Sequence, residues 1–245
     1  MRSDFHMHSF FSPDCLTSPE RLIKRCLRVG LGCIAVTDHN TIAGAMAVKQ
    51  IAPFQVIIAE EIKSTAGEIT GLFLNKDIPP GLSPMETLDR IKDQGGLVSI
   101  PHPFDGVRSS VIKPEALEAI LPFADMIEVF NARNTFKGAN QRARDLAKLH
   151  NLLPTAVSDS HHVFELGRTY TDLPEFDGTP EGFKLALKDA VLTDANLTHK
   201  NLKKQNLQKE KLENNNIKRL RDWTGKHLID SYKAFNILSN QITFQ

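Results

Sequence analysis

Short apolar runs rich in β-branched residues alternate with helical stretches from Met1 to about Asp194. Such alternation is typical of repeated strand–helix units that surround a mostly parallel sheet. It predicts an α/β fold in which the strands close, or nearly close, a barrel with the helices outside it. The predicted strands cover residues 4–8, 33–37, 56–63, 68–74, 97–100, 126–130 and 155–158.

Helix-start signals between these runs support the alternation. Ser18 and Pro19 combine an N-cap residue with a proline in the first helical turn, and Ser83 and Pro84 repeat that arrangement. Both pairs precede apolar residues at helical spacing, so each predicts the start of a helix. Further helices are predicted from Pro114 onward and over residues 140–149.

Polar residues with metal-binding side chains lie at or just past the ends of the predicted strands. In strand–helix barrels the carboxyl ends of the strands meet at one face, where the active groups lie. These side chains are therefore expected to converge, although they are far apart in the chain. They are His6, His8, Asp38, His39, Glu60, Glu61, His102, Glu128, Asn131, Asp159 and His161.

The segment DFHMHSFFSPD at residues 4–14 places two histidines one residue apart. Residues two apart on a strand point to the same side, so His6 and His8 are expected to present their imidazoles together, opposite Phe5 and Met7. A dense set of imidazoles and carboxylates is electrostatically costly without bound cations. The pattern therefore predicts a metal cluster.

Six short motifs, DFHMHSFFSPD, AVTDHNTI, AEEI, IPHPFD, IEVFNAR and SDSHH, occur in this order along the chain. Their order and separations resemble those of the PHP family, the polymerase and histidinol phosphatase superfamily of metal-dependent phosphoesterases. The resemblance covers residues 1 to about 190. It implies a distorted (β/α)7 barrel that holds two or three divalent metal ions, usually manganese, zinc or iron. A mixed set of imidazoles and carboxylates suits these metals.

The resemblance also implies a ligand set that divides among three ions. The ligands are His6, His8, Glu61 and Asp159 for the first ion, Glu61 and His102 for the second, and Asp14, His39 and His161 for the third. The motif match selects Glu61 over Glu60 as the bridge between the first two ions. Many relatives have a further histidine in the strand after the bridging glutamate or near the EVFN motif, where this chain has Thr70, Glu128 and Asn131. The second ion is therefore expected to be loosely held or completed by water.

Such a site is expected to hydrolyse phosphate esters with a metal-activated water. Asp38 and His161 are candidates to relay the proton. Arg133 and Arg168 are candidates to bind the substrate phosphate, because a guanidinium can grip two phosphate oxygens. The expected substrate is a small phosphomonoester or a nucleotide. An exonuclease acting on nucleic-acid ends and a non-catalytic metal- or nucleotide-binding module are the alternatives.

The last fifty residues differ from the rest in charge. Residues 196–245 hold ten Lys or Arg against four acidic residues, whereas residues 1–195 hold 20 against 25. We therefore predict a barrel domain over 1–195 and a basic, Asn- and Lys-rich extension over 196–245 that is helical or partly disordered. Contact of this extension with nucleic acid stays open.

Cysteine usage and hydropathy indicate the expected compartment. Cys15, Cys26 and Cys33 are not at a metal-binding spacing and predict reduced, buried thiols. The sequence has no apolar run long enough to cross a membrane and no secretory signal pattern. We therefore expect a cytoplasmic protein without a membrane partner.

Overall fold

A computed structural model describes residues 1–136 and 138–193. The predicted basic extension lies outside these residues. The described strands are β1 (Arg2–Asp4), β2 (Cys33–Val36), β3 (Gln55–Ser64), β4 (Gly67–Leu72), β5 (Leu97–Ile100), β6 (Met126–Asn131), β7 (Leu153–Val157), β8 (Tyr170–Asp172) and β9 (Val191–Thr193). The described helices are α1 (Pro19–Val29), α2 (Ala43–Ile51), α3 (Pro84–Lys92), α4 (Pro114–Ile120), α5 (Ala139–His150) and α6 (Pro180–Lys188).

The strands form one sheet that curls into a nearly closed barrel. Their order is β7-β6-β5-β4-β3-β2-β1-β8-β9. The segment after β1 closes the ring against the segment after β7, because the Asp159 amide donates to the His6 carbonyl and the His8 amide donates to the Ser160 carbonyl, both at 2.9 Å. The α/β barrel-type fold predicted from the sequence is therefore confirmed.

Strand direction differs from the prediction of a mostly parallel sheet. β4 runs antiparallel to both β3 and β5, and β8 runs antiparallel to β1 and β9. β3 and β4 form a hairpin, since Ser64 pairs with Gly67 across a two-residue turn at Thr65 and Ala66. For β4 to run parallel to β3, the connection between them would have to be a crossover of a dozen or more residues, and only two residues separate the strands.

Local sequence signals explain where the helices begin. The Ser18 side chain accepts a hydrogen bond from the Arg21 amide at the start of α1, and Gly30 ends that helix in the left-handed conformation with φ 76°. Ser83 and Glu86 form a reciprocal capping box at the start of α3. Both starts agree with the sequence-based prediction. None of the helices among the described residues is long and apolar enough to span a membrane.

Alternation along β2 and β3 separates two apolar layers. Ile34 and Val36 pack with residues of α1 and α2, whereas Ala35, Ile57 and Ala59 pack in the layer that contains α6. Glu61 continues the phase of Ile57 and Ala59, so its side chain extends that second layer toward the strand end.

Phe5 and Met7 do not face the same side of the chain, although strand alternation predicted that they would. Met7 packs with the layer of α1 and α2, but Phe5 packs in the α6 layer, with its ring 4.9 Å from the ring of Phe183. The reason is that β1 ends at Asp4, before the histidines. His6 and His8 belong to an extended continuation of β1, and the strict alternation of a paired strand does not hold across its start.

The start of α2 packs directly against a buried carboxylate. Both oxygens of Asp38 accept hydrogen bonds from Ser9, one from the amide and one from the hydroxyl, each at 2.6 Å. A Cβ added at Gly44 would lie 1.8 Å from Asp38 Oδ2 and 2.4 Å from Ser9 Oγ. Glycine is therefore required at position 44 by this close approach.

We expect Gly44→Ala to lower the free energy of unfolding by about 1–3 kcal/mol, because the Asp38–Ser9 pair has to shift to admit a methyl group. Urea denaturation measures the change. Gly106→Ala is the control, since a Cβ there would meet Phe136 at an ordinary 3.4 Å. Equal urea midpoints for the two variants would contradict the packing argument.

Candidate metal centre

Four side chains, from β3 and from the segments that follow β1 and β7, face one another at the mouth of the barrel. His6 Nε2 and His8 Nε2 lie 3.2 Å apart. Glu61 Oε2 lies 3.4 Å from His6 Nε2 and 3.5 Å from His8 Nε2. Asp159 Oδ1 lies 3.6 Å and 3.5 Å from the same two nitrogens. All four residues are buried, with at most 1% of their surface exposed.

These spacings fit a bound metal ion. Ligands of one tetrahedral metal ion lie about 3.3–3.6 Å from one another, and the distances from the two histidines to Glu61 and Asp159 are close to this range. His6, His8 and Glu61 offer ligand atoms within 4.8 Å of one another, and so do His6, His102 and Asp159. Glu61 Oε2 and Asp159 Oδ1 are buried and have no hydrogen-bond partner. An unsatisfied buried carboxylate oxygen is costly unless a cation neutralises it. The donor atoms present therefore suit a divalent cation.

A second group surrounds the other oxygen of Glu61. His102 Nε2 lies 2.9 Å from Glu61 Oε1. Glu68 on β4 adds a carboxylate that the sequence-based prediction lacked, with its Oε2 3.7 Å from His102 Nε2 and its Oε1 3.8 Å from His39 Nδ1. His39, Glu61 and Glu68 offer ligand atoms within 4.8 Å of one another. Glu68 thus lies close to the residues predicted to hold the second ion, where the sequence suggested only water as a further ligand.

A third group lies at the more open edge of the cluster. Asp14 Oδ2 lies 3.0 Å from His161 Nε2 and 3.3 Å from His39 Nε2. With His8, these residues offer ligand atoms within 4.8 Å of one another. The structure therefore brings together all eight residues predicted to bind metal. Their roles as ligands stay a prediction.

Glu128 and Asn131 orient His6 and Asp159 through hydrogen bonds to the atoms that face away from the cluster. His6 Nδ1 lies 2.6 Å from Glu128 Oε1, which directs the lone pair of His6 Nε2 into the cluster when Nδ1 carries the proton. Asn131 Nδ2 donates to Glu128 Oε2 at 2.8 Å and to Asp159 Oδ2 at 3.0 Å. This leaves Asp159 Oδ1 free toward the two histidines.

The proximity of opposite charges shifts several pKa values. Burial opposes ionisation of His6, but Glu61, Glu128 and Asp159 outweigh it and raise the pKa of His6 well above its usual value. Burial likewise opposes ionisation of Asp159, but His6 and other cationic neighbours hold the pKa of Asp159 well below its usual range. Without metal, the carboxylates are therefore compensated in part by protonated imidazole.

The remaining predicted site residues differ in position. Asp38 is fully buried and both of its oxygens are occupied by Ser9, so the geometry does not favour it as a proton relay. Arg133 lies at the edge of the cluster, with Nη1 3.5 Å from Glu165 Oε1 and its charge close enough to help lower the pKa of His161, after burial and the nearby His8.

Arg168 is exposed and lies near Arg25 of α1. None of its described contacts joins it to the cluster among residues 1–136 and 138–193. The prediction that it binds substrate phosphate is therefore not supported by its position. The reason is that the chain turns back along α1 after the SDSHH motif, where the Arg25 guanidinium donates to the Leu166 carbonyl at 3.1 Å.

Sequence reasoning missed two further side chains of the cluster. Neither Glu68 nor Arg108 lies in any of the six motifs. Glu68 had a usable signal, because it lies two residues before Thr70 on the same strand and so on the same face. Arg108 had no such signal in the sequence. It contacts Asp159 because of the conformation of a loop, which residue spacing does not specify.

Comparisons with known proteins agree with this geometry. The PHP domain model matches residues 4–92, and the PHP-associated model matches residues 137–191. An uncharacterized protein of Methanocaldococcus jannaschii is 40% identical over 145 residues, which are 54% of this chain and 82% of that protein.

Solved structures share the fold at low sequence identity. A two-domain protein from Bacteroides vulgatus, containing a predicted PHP-like metal-dependent phosphoesterase, is 22% identical with a TM-score of 0.66, over 79% of this chain and 64% of that one. The chain thus spans less than two thirds of that protein. A lesion-specific endonuclease from Pyrococcus furiosus is 14% identical with a TM-score of 0.53, over 78% of this chain and 57% of that one. These structures share the fold, and the two matched family models show that the chain belongs to the PHP family.

Proposed function

We propose that this protein is a metal-dependent phosphoesterase that hydrolyses small phosphomonoesters or nucleotides. The observation that carries the proposal is the set of four facing atoms of His6, His8, Glu61 and Asp159, two of them buried oxygens without a partner. In a protein that does not bind cations, a buried cluster of this kind would strongly destabilise the fold.

The proposed ligands fall into three overlapping groups. His6, His8, Glu61 and Asp159 would hold one ion, and Glu61, Glu68 and His102 a second. Asp14, His39 and His161 would hold a third. Mixed imidazole and carboxylate ligands favour manganese, zinc or iron over calcium or magnesium.

Bound divalent ions supply Lewis acidity and activation of water for phosphate-ester hydrolysis. The neighbouring side chains of this protein orient the proposed ligands. Glu128 fixes the ring of His6, and Asn131 fixes the carboxylate of Asp159. Burial and the charge of His8 lower the pKa of His161, so its Nε2 is available as a ligand or proton acceptor at neutral pH. We assign Asp38 to the support of the His8 loop through Ser9.

Charge favours small substrates over polynucleotides. Residues 1–195 carry 20 Lys or Arg against 25 acidic residues, and a net negative surface repels a long polyanion. A nuclease acting on nucleic-acid ends is the second candidate. Two observations favour it: the fold shared with the lesion-specific endonuclease and the basic composition of residues 196–245.

A substrate panel tests the proposal. The protein is stripped of metal, resupplied with manganese or zinc, and offered an aryl phosphate, a phosphodiester, nucleoside monophosphates and short RNA. Phosphate released only from monoesters supports the proposal, and nucleotides released from RNA support the nuclease. A protein that binds metal but cleaves none of these compounds would be a non-catalytic member of the family.

We expect His8→Ala and Asp159→Asn each to reduce turnover by at least about a hundredfold, because each removes a ligand atom of the first group. The turnover number on the best substrate of the panel measures the loss. His150→Ala and Asp89→Asn, both exposed on helices, are matched controls. Full activity in either of the first two variants would refute the assignment of the site.

We expect Glu68→Gln to weaken binding of one ion roughly tenfold or more while the other ions stay bound, because an amide is a poor replacement for a charged ligand. Metal content after gel filtration and competition with a chromophoric chelator measure the change. Glu118→Gln on the exposed side of α4 is the control. Unchanged stoichiometry and affinity would exclude Glu68 as a ligand.

A further inference from the structure

Arg108 reaches the cluster from the loop between β5 and α4. Its Nε donates to Asp105 Oδ2 at 3.0 Å, and its Nη2 lies 2.5 Å from Asp159 Oδ2. Asp105 is itself buried, and its Oδ1 accepts a hydrogen bond from the Val107 amide at 3.1 Å. The carboxylate of Asp105 therefore fixes both the turn and the direction of the arginine.

The guanidinium lies on the outer side of Asp159. Asp159 Oδ2 also accepts a hydrogen bond from Asn131, whereas Oδ1 has no hydrogen-bond partner and faces His6 and His8. Arg108 therefore does not compete for the oxygen that a metal would use. It can stay on Oδ2 while Oδ1 binds an ion.

Arg108 is charged, partly accessible to solvent, and has donors left for a ligand. Burial opposes its charge, yet Asp159 and Glu61 raise its pKa above the usual value. About 21% of its side chain is exposed, so solvent reaches part of it. Nη1 makes no contact described within residues 1–136 and 138–193. One edge of the guanidinium is thus held by carboxylates, and the remaining donors are available.

Resting on the function proposed above, we propose that Arg108 binds the phosphate group of the substrate while it positions Asp159. A guanidinium fork matches two phosphate oxygens, and a donor held beside the metal ligands would meet the non-bridging oxygens of a phosphate bound there. Arg133 is a weaker candidate for binding the phosphate, because it is more exposed and its contact with Glu165 is long at 3.5 Å.

Binding of inorganic phosphate to the metal-loaded protein tests this role without turnover. Calorimetry is carried out on the wild type, Arg108→Lys and Arg108→Gln, after metal content is measured for each. Arg90→Gln, on the exposed side of α3, is the matched control. We expect both Arg108 variants to bind phosphate roughly tenfold or more weakly, and Arg90→Gln to bind as the wild type does.

Arg108→Lys keeps a positive charge near Asp159 but lacks the planar fork. Retained metal with weakened phosphate binding in this variant supports the proposal. Phosphate affinity within twofold of the wild type in both metal-loaded variants would overturn it. If both variants lose metal, the titration is repeated in excess metal. Phosphate affinity restored to the wild-type value by metal alone would also overturn the proposal, because Arg108 would then serve Asp159 alone.

The same measurements separate this inference from the proposed function. A wild-type protein that cleaves phosphate esters, with Arg108 variants that bind phosphate normally, would remove the inference and keep the function. A wild-type protein that cleaves none of the esters, yet binds phosphate through Arg108, would remove the function and keep the phosphate site.

Discussion

Buried carboxylate oxygens that face buried imidazoles are the interaction on which the mouth of this barrel depends. Glu61 and Asp159 each keep one oxygen without a hydrogen-bond donor, and both lie within 3.6 Å of His6 Nε2. Such a group is destabilising by itself, since each desolvated charge needs compensation. Protonated histidine supplies part of it, and Arg108 supplies more at the outer oxygen of Asp159. The donor set is suited to a metal ion in the same space.

The barrel closes at the place where the cluster forms. Asp4 Oδ1 accepts the Ser158 amide at 3.0 Å, and the backbone segments that carry His6, His8 and Asp159 pair directly with each other. Their side chains therefore have fixed relative positions. The same backbone hydrogen bonds that close the sheet set the geometry of the site, so a metal ion bound here would also stabilise the closed sheet.

Motif-based reasoning works best where a residue lies at the end of a strand. His6, His8, His102 and Asp159 lie within four residues of a strand end and Glu61 lies in the second half of β3, and the structure brings them together. A position near a strand end does not by itself fix where a side chain points. Asp38 lies two residues after β2, but its side chain faces Ser9, and Arg168 follows a motif but lies near Arg25 of α1. The antiparallel direction of β4 also escaped the pattern, because apolar periodicity carries no information on strand direction.

The sequence by itself determined the class of fold, the starts of α1 and α3, and the eight residues proposed to bind metal. Alternation of apolar runs and capping signals are local properties, and strand-end positions follow from the barrel plan. Only the tertiary structure decided that Glu68 and Arg108 join the cluster and which oxygen of Asp159 stays free. Those facts depend on a hairpin register and on a loop held by Asp105. They place Glu68 beside His102 and Arg108 beside Asp159. These residues are far apart in the chain, and no local preference encodes such contacts.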